Sequence, residues 1–201
     1  MRPTLRTTVA AAALVAASAS LAQAEIKIGV LYPIAGNGAV YGTPAMHGHN
    51  MGVDEVNAAG GILGQKVVSF ARDTKLKPAA AAAAAKELIT KEGVDVLIGG
   101  LSSAVGLAIS EVARQEGIVY IATIPKTIQM TTTKLHKHVF RTSSHTDFEG
   151  DAIGQIVGKL GKNKVCDIQL DYAYGHDLAA GIEKGLAKLS MSAAKSATLL
   201  A

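Results

Sequence analysis

The sequence contains no tryptophan, one cysteine and few aromatic residues, and each shortage excludes a class of protein. Proteins that bind single-stranded nucleic acids stack bases on aromatic side chains beside clustered basic residues. In this chain the basic residues are scattered, so we expect no nucleic-acid partner. Cys166 has no second cysteine with which to form an internal disulfide, so burial of apolar side chains must stabilise the fold.

Long apolar runs are also missing after the first residues of the chain. The N-terminus has a basic start at Arg2 and Arg6, an apolar run over 9–17 and small residues up to Ala24, an order typical of a secretory signal peptide. The apolar run is shorter than the roughly 20 residues that a membrane-spanning helix needs. We therefore interpret residues 1–24 as a signal peptide and expect an exported protein. Without the two arginines, the formal net charge falls from +4 to +2.

Short apolar runs and helical periodicities alternate along the rest of the chain. The apolar runs are typical of strands covered on both faces, and they lie at 26–32, 65–72, 94–100 and 118–124. Helical spacing, a proline start at Pro78 and glycine stops predict intervening helices, which lie at 41–58, 78–93 and 104–117. This alternation predicts an α/β fold, a parallel sheet with helices on both faces.

A second α/β unit begins near residue 142. Its pattern predicts an extended segment at 139–144, a helix at 147–161, a strand at 164–170 and a helix at 175–189. We therefore predict a first α/β lobe over residues 25–141 and a partial second α/β lobe over residues 142–201. The last residues, SMSAAKSATLLA, fit poorly with a strand, and we expect a truncated or frameshifted reading frame or a fragment of a longer chain.

Hydroxyl groups and tyrosines follow the predicted strands, at the sheet edge where open parallel sheets bind their ligands. They are Tyr41, Ser102, Ser103, Thr127 and Tyr174. The two serines stand where a helix begins, so unpaired N–H groups and the positive end of the helix dipole would favour an anion there. The same residues are also compatible with plain structural roles: helix caps for the serines and the threonine, and core or rim packing for the tyrosines.

Several separated segments, taken in this order, resemble one protein family. They include IKIGVLYPIAGNGAVYG, DTKLKP, LIGGLSSAVGLAISEVARQEGIVYIAT, VFRTSS and DYAYG. Together they resemble the periplasmic solute-binding proteins of ABC transporters, of the leucine/isoleucine/valine-binding type, which form class I of that superfamily. The resemblance implies a class I periplasmic-binding-protein fold with a complete first lobe and a partial second lobe. It also implies a periplasmic monomer without a cofactor, which captures a small solute and presents it to an ABC permease in the inner membrane.

The resemblance further implies a set of ligand-binding residues. In this family the serine after the third strand and the threonine after the fourth hold the ligand's carboxylate, and these positions match Ser103 and Thr127. The neighbouring Ser102 is a weaker candidate. Tyrosines that line the cleft match Tyr41 and Tyr174. The solute expected from the resemblance is a branched-chain or related amino acid.

The loop after the fourth strand departs from the family pattern. Relatives usually have small residues there, whereas this chain has Pro125 and Lys126. Pro125 matches the position whose backbone carbonyl accepts a hydrogen bond from the ligand's ammonium, and Lys126 adds a cation that points either to solvent or towards an anionic ligand. Aromatic acids, other small carboxylic acids and amides therefore remain open as solutes.

A sensory ligand-binding module that signals to a receptor is the alternative role.

Enzymatic, nucleotide and metal chemistry are not expected. A serine hydrolase would need a G-x-S-x-G turn, and the segment GLSSA lacks the closing glycine. The glycines after the first strand are spaced G-x-G-x-x-x-G, which differs from the dinucleotide-binding pattern. His47 and His49 would point apart on a helix, and His136 and His138 have no cysteine or carboxylate to complete a ligand set. We therefore expect a binding protein that holds no metal.

Overall fold

The computed structural model describes residues 25–161, 164–193 and 195–199, so the predicted signal peptide at 1–24 lies outside the described residues. Strands and α-helices alternate along the chain. In order they are β1 (Ile26–Tyr32), α1 (Ala39–Ala58), β2 (Val67–Asp73), α2 (Pro78–Glu87), β3 (Val96–Gly99), α3 (Ser103–Glu116), β4 (Val119–Ala122), β5 (Val139–Arg141), α4 (Thr146–Lys159), β6 (Cys166–Leu170), α5 (Ala173–Ala187) and β7 (Lys195–Leu199). Within the described ranges, no helix has both the length and the apolar character needed to cross a membrane.

The first five strands form one parallel sheet in the order β2-β1-β3-β4-β5. β2 and β3 pair with opposite edges of β1. Because crossovers between parallel strands are right-handed, α1 covers one face of the sheet, and α2 and α3 cover the other. This arrangement confirms the predicted α/β fold with helices on both faces.

The main core lies between this sheet and the helices α2 and α3. Leu31, Leu97 and Tyr120 come from three adjacent strands, and all three are fully buried. They belong to one cluster with Leu88, in the helical turn that continues α2, and with Ile109 of α3. Burying each such aliphatic side chain contributes about 1.5–3 kcal/mol relative to leaving it in water. The core therefore holds the ends of β1, β3 and β4 in fixed positions.

The ends of α2 follow the signals in the sequence. Pro78 is the first residue of the helix, where its missing N–H has no intrahelical partner to lose. The helix runs on through a π-helical turn, Leu88–Glu92, and Gly93 ends it with a left-handed backbone at φ 64°. The alanine-rich segment between these two residues is therefore a structured helix.

A second, two-stranded sheet pairs β6 with β7 in parallel, from Cys166 opposite Lys195 to Leu170 opposite Leu199. The expectation that the last residues fit poorly with a strand is therefore wrong. The β-propensity of Lys, Ser and Ala is low, but the strand pairs through main-chain groups, which every residue supplies. The main-chain groups of β7 pair with the open edge of β6, and this pairing cannot be recognised from the composition of β7.

Candidate functional site

A cavity of about 410 Å³ opens where several strands end. Its lining residues lie in α1 and in the segments that follow β2, β3, β4 and β6. They are Tyr41, Leu76, Leu101, Ser102, Ser103, Ile124, Lys126, Leu170, Tyr172 and Tyr174. The cavity therefore stands at the sheet edge where the sequence predicts a ligand site, and it is lined by residues that follow strands of the five-stranded sheet and by residues at the end of β6.

The turn from β3 into α3 places both serines at the cavity. Gly99 and Gly100 have φ angles of 123° and 84°, which side chains other than glycine rarely tolerate, so the backbone turns sharply at the end of β3. The Gly100 N–H donates to the carbonyl of Leu31 at 2.6 Å, which ties the turn to β1. Ser102 then begins α3 as its N-cap, because its Oγ accepts from the N–H of Val105 at 3.2 Å. Ser102 thus caps the helix and also lines the cavity.

Ser103 connects the start of α3 to the loop after β4. Its side chain is 2% exposed, and its Oγ accepts a hydrogen bond from the backbone N–H of Thr127 at 3.1 Å. The hydroxyl proton of Ser103 is not used by this bond, so it remains a donor. At the first residue of a helix, this donor lies beside the unpaired N–H groups that favour an anion.

Three consecutive backbone carbonyls in the loop after β4 accept hydrogen bonds from the end of β5 and from the residues that follow it. The bonds run from Ser143 Oγ to Pro125 at 3.2 Å, from the N–H of Thr146 to Lys126 at 2.9 Å, and from Arg141 Nη1 to Thr127 at 2.7 Å. These bonds fix the loop against the start of α4. Pro125 therefore lies behind the cavity wall, and its carbonyl already has a partner.

Thr127 is fully buried and lies outside the lining of the cavity. Its hydroxyl donates to Asp177 of α5 and accepts from the N–H of Gln129 at 3.2 Å. Asp177 also accepts from Gln129 Nε2 at 3.1 Å. The hydroxyl that the family resemblance assigns to a ligand's carboxylate therefore binds a carboxylate of the protein itself in this structure.

Lys126 is the charged residue in the cavity lining. Its ammonium lies 2.5 Å from Glu149 Oε1 of α4, and Ser144 Oγ donates to the same oxygen at 2.5 Å. Burial alone would raise the pKa of the Glu149 carboxyl, but the hydrogen bonds from Lys126 and Ser144 lower the pKa below its usual value. Glu149 is therefore a carboxylate at neutral pH, and it holds the lysine at the edge of the cavity.

Tyrosine rings form one wall of the cavity. The rings of Tyr172 and Tyr174, at the start of α5, stack with centroids 6.1 Å apart and an angle of 26° between their planes. Burial, and to a lesser extent Tyr174, raises the pKa of the Tyr172 hydroxyl, which stays protonated at neutral pH. Tyr41 of α1 faces the same space and is 64% exposed. Together with the aliphatic lining residues, these rings give the cavity a largely apolar character.

Four of the six residues predicted from the sequence meet at the cavity: Tyr41, Ser102, Ser103 and Tyr174. Pro125 and Thr127 support the wall from behind. The sequence reasoning did not single out Tyr172 or Asp177. The segment DYAYG offered a signal for Tyr172, because its two tyrosines are two residues apart and the strand ends beside them. Asp177 gave no such signal, since its partners Thr127 and Gln129 lie far away in the chain.

His49 and His136 lie outside this cavity, and each forms a hydrogen bond with a serine hydroxyl. His49 Nε2 lies 2.8 Å from Ser69 Oγ, and His136 Nε2 lies 2.8 Å from Ser110 Oγ. Over the described ranges, no group of three or more His, Cys, Asp or Glu side chains is arranged to hold a metal ion.

Known proteins similar to this chain are binding proteins by name. A 33% identical Leu/Ile/Val-binding protein of Rhizobium johnstonii aligns over 177 residues, which are 88% of this chain and 48% of that protein. A benzoate-bound solute-binding protein of an ABC transporter from R. palustris superposes with a TM-score of 0.79 at 27% identity, covering 88% of this chain and 49% of its own. An isoleucine-bound substrate-binding protein of a branched-chain amino acid transporter from Streptococcus pneumoniae superposes with a TM-score of 0.74 at 27% identity. This match covers 89% of this chain and 50% of that protein.

The chain spans about half the length of the curated relatives that it matches. The profile of one family, described as periplasmic binding protein, matches residues 25–198. This range includes the five-stranded sheet, all but the last residue of the two-stranded sheet, and every residue that lines the cavity. The strand order and the position of the cavity are consistent with this match. Because the profile matches most of the chain, the chain belongs to the periplasmic binding protein family.

Proposed function

We propose that this chain supplies the ligand-binding residues of the solute-binding component of an ABC transporter, and that its solute is a small molecule with a carboxylate. The observation that carries the proposal is the cavity at the strand ends, where hydroxyl, helix N-terminal and lysine donors adjoin a tyrosine and aliphatic wall. Pockets of this kind, mostly apolar with a few convergent polar groups, are typical of sites that bind small molecules.

Two solved structures support the carboxylate as the common feature of the solute. One contains benzoate and the other isoleucine, and this chain is 27% identical to each of those proteins. These two ligands differ in charge and shape but share a carboxylate. Ser102, Ser103 and the N-terminus of α3 are suited to that group, because they offer hydroxyl and amide donors at the positive end of a helix dipole. An aromatic acid is an alternative to a branched-chain amino acid in the same role, and the tyrosine wall favours it.

Capture by closure of two lobes is the proposed mechanism for a full-length protein that contains these residues. Residues 25–141 would form the first lobe, and residues 142–201 would form part of the second. The cavity lining comes from both of these regions, so a solute bound there would stabilise their contact. The proposed setting is the periplasm, after export by the predicted signal peptide. The proposed partner is an ABC permease in the inner membrane, which would receive the solute from a monomeric binding protein.

A thermal-melt panel tests the proposed function. The chain is heated with leucine, isoleucine, valine, benzoate, 4-hydroxybenzoate or benzamide, each over a range of concentrations. A true solute raises the melting temperature, and at about 100 times its Kd it adds about 2.7 kcal/mol to the free energy of unfolding. Ser103→Ala should weaken this effect for a carboxylate. The proposal is wrong if none of the carboxylates gives a concentration-dependent shift.

A further inference from the structure

The lining of the cavity contains positive charge and, within the described part of the chain, no carboxylate. Lys126 is the charged side chain among the lining residues, and its partner Glu149 lies outside the lining. The N-terminus of α3 adds partial positive charge at Ser102 and Ser103. A ligand in this cavity therefore meets hydrogen-bond donors, positive charge and apolar rings.

Lys126 keeps part of its donor capacity for a ligand. A lysine ammonium carries three donors, and the structure assigns one hydrogen bond to it, at 2.5 Å to Glu149. The lysine side chain is 35% exposed, whereas that of Glu149 is 23% exposed. The carboxylate of Glu149 thus anchors the lysine, and this one bond leaves two donors of a residue that lines the cavity.

Acceptors near Lys126 already take hydrogen bonds from the protein. The carbonyls of Pro125, Lys126 and Thr127 each accept one hydrogen bond from residues 141–146. The Asp177 carboxylate accepts from Thr127 and from Gln129. A ligand ammonium close to Lys126 would share these acceptors with their present donors and would be repelled by the Lys126 ammonium.

We propose that Lys126 is a specificity-determining residue, which selects solutes whose carboxylate is not balanced by an ammonium group. The solute class is an aromatic monocarboxylate, for which the tyrosine wall supplies the apolar contact. This inference rests on the proposed solute-binding function, and it deepens that function by naming the charge of the solute. The selection works in two directions, because the lysine attracts a net anion and repels a zwitterion's ammonium.

Calorimetric titration with three probes tests this inference. Benzoate is the anion, benzamide is its neutral isostere, and leucine is the zwitterion. The wild-type chain should bind benzoate more tightly than either of the others. Lys126→Met keeps much of the side chain's length and removes its charge, so it should weaken benzoate binding about tenfold or more while changing benzamide binding less than about twofold.

Three further variants complete the design. Lys126→Arg keeps the charge and should retain the preference for benzoate. Glu149→Gln removes the carboxylate that competes for the lysine and should tighten benzoate binding. Lys134→Met removes the same charge from an exposed site outside this cavity, and it should leave benzoate binding unchanged. Circular dichroism of each variant establishes that it is folded.

The possible failures can be told apart. If leucine binds the wild type more tightly than benzoate, the inference is wrong and the solute-binding function stands. The same conclusion follows if Lys126→Met weakens benzamide as much as benzoate, because the lysine would then act through packing. If none of the three probes and none of the other solutes in the thermal panel binds the wild type, the proposed function and the inference fail together.

Discussion

The five-stranded part of this chain and the part formed by α4, β6 and α5 differ in how their side chains are buried. Among residues 25–161 and 164–193, nearly all of the buried apolar residues belong to the five-stranded part, and Leu186 is the exception in the second part. In that second part Ile156, Leu160 and Ile168 are 62%, 66% and 69% exposed. The five-stranded part thus has a core of its own. The second part depends on the contact between its two helices and on contacts with the first part.

Glycines allow α4 and α5 to approach closely. A methyl group added at Gly154 would overlap the carbonyl oxygen of Ile182, and one added at Gly185 would overlap that of Asp151. The helices therefore contact each other through their backbones. Such contact brings many atoms together without burying large side chains, and it explains how the second part holds its shape with so few buried apolar residues.

The largest expected effect comes from shortening a buried side chain in the five-stranded part, in comparison with an exposed side chain in the second part. Leu97→Ala in β3 removes a fully buried side chain and should lower the free energy of unfolding by about 2–5 kcal/mol. Ile156→Ala in α4 removes a side chain that is mostly exposed. It should change the free energy of unfolding by less than about 0.5 kcal/mol. Urea unfolding followed by circular dichroism measures both. Equal losses would show that the contrast in burial does not determine stability.

A smaller effect is expected from adding one methyl group to a glycine. Gly154→Ala forces α4 and α5 apart and should cost about 1–3 kcal/mol. Gly52→Ala in α1 is the matched control, because nothing lies within contact distance of the added methyl. It should stabilise the chain by about 0.5–1 kcal/mol, since glycine inside a helix is unfavourable. If Gly154→Ala were also stabilising in urea unfolding, the close backbone contact would be refuted.

The same contrast explains which parts of the fold the sequence could predict. β1 coincides with the predicted run at 26–32, and α2 begins at Pro78 as expected, because burial on both faces and helix-end residues leave local signals. β7 was not predicted, since its pairing partner β6 supplies the reason for the strand and its own composition does not. Local sequence signals therefore predict elements such as β1 and α2, whose burial or end residues are visible in the sequence. They do not predict a strand such as β7, whose conformation depends on its partner strand.

The site shows the same limit. Ser102 and Ser103 were predictable because the end of a buried strand and the start of a helix fall together in the sequence. The engagement of Thr127 by Asp177 was not, because the two residues lie in different parts of the fold and no spacing rule connects them. Positions at strand ends can thus be predicted, whereas the partners of their side chains depend on how the two parts meet.

The contact between the two parts can be tested at Asp177. Asp177→Asn preserves the shape of the side chain but removes its charge, so it weakens the hydrogen bonds from Thr127 and Gln129. We expect a loss of about 1 kcal/mol in the free energy of unfolding, which is the difference between hydrogen bonds to a charged acceptor and hydrogen bonds to a neutral one. Asp54→Asn, in the exposed part of α1, is the control and should have no measurable effect. An unchanged stability for Asp177→Asn would show that this carboxylate does not link the parts.

The smallest expected effect concerns pH and lies in the five-stranded part. His136 Nδ1 accepts from the N–H of His138 at 3.3 Å, which leaves Nε2 to donate to Ser110 Oγ. Burial is the main cause that lowers the pKa of His136, and His138 and Arg114 lower it further, against the opposing effects of Ser110 and Glu111. The fold therefore prefers the neutral ring, since protonation would remove the acceptor at Nδ1.

The sign of the pH effect follows from this preference. Between the lowered pKa of the folded state and the ordinary value of about 6.5, the unfolded chain binds more protons than the folded chain. The contribution of His136 is complete above that ordinary value and is lost as the pH falls through this window. Urea midpoints from about pH 7.5 to about pH 5.5 should therefore fall more in the wild type than in His136→Asn. His47→Asn, at an exposed position, should follow the wild type. If a His136→Asn chain loses as much stability as the wild type, the half-buried ring of His136 is not the group that responds to pH. The pH sensitivity would then arise outside the Ser110 contact.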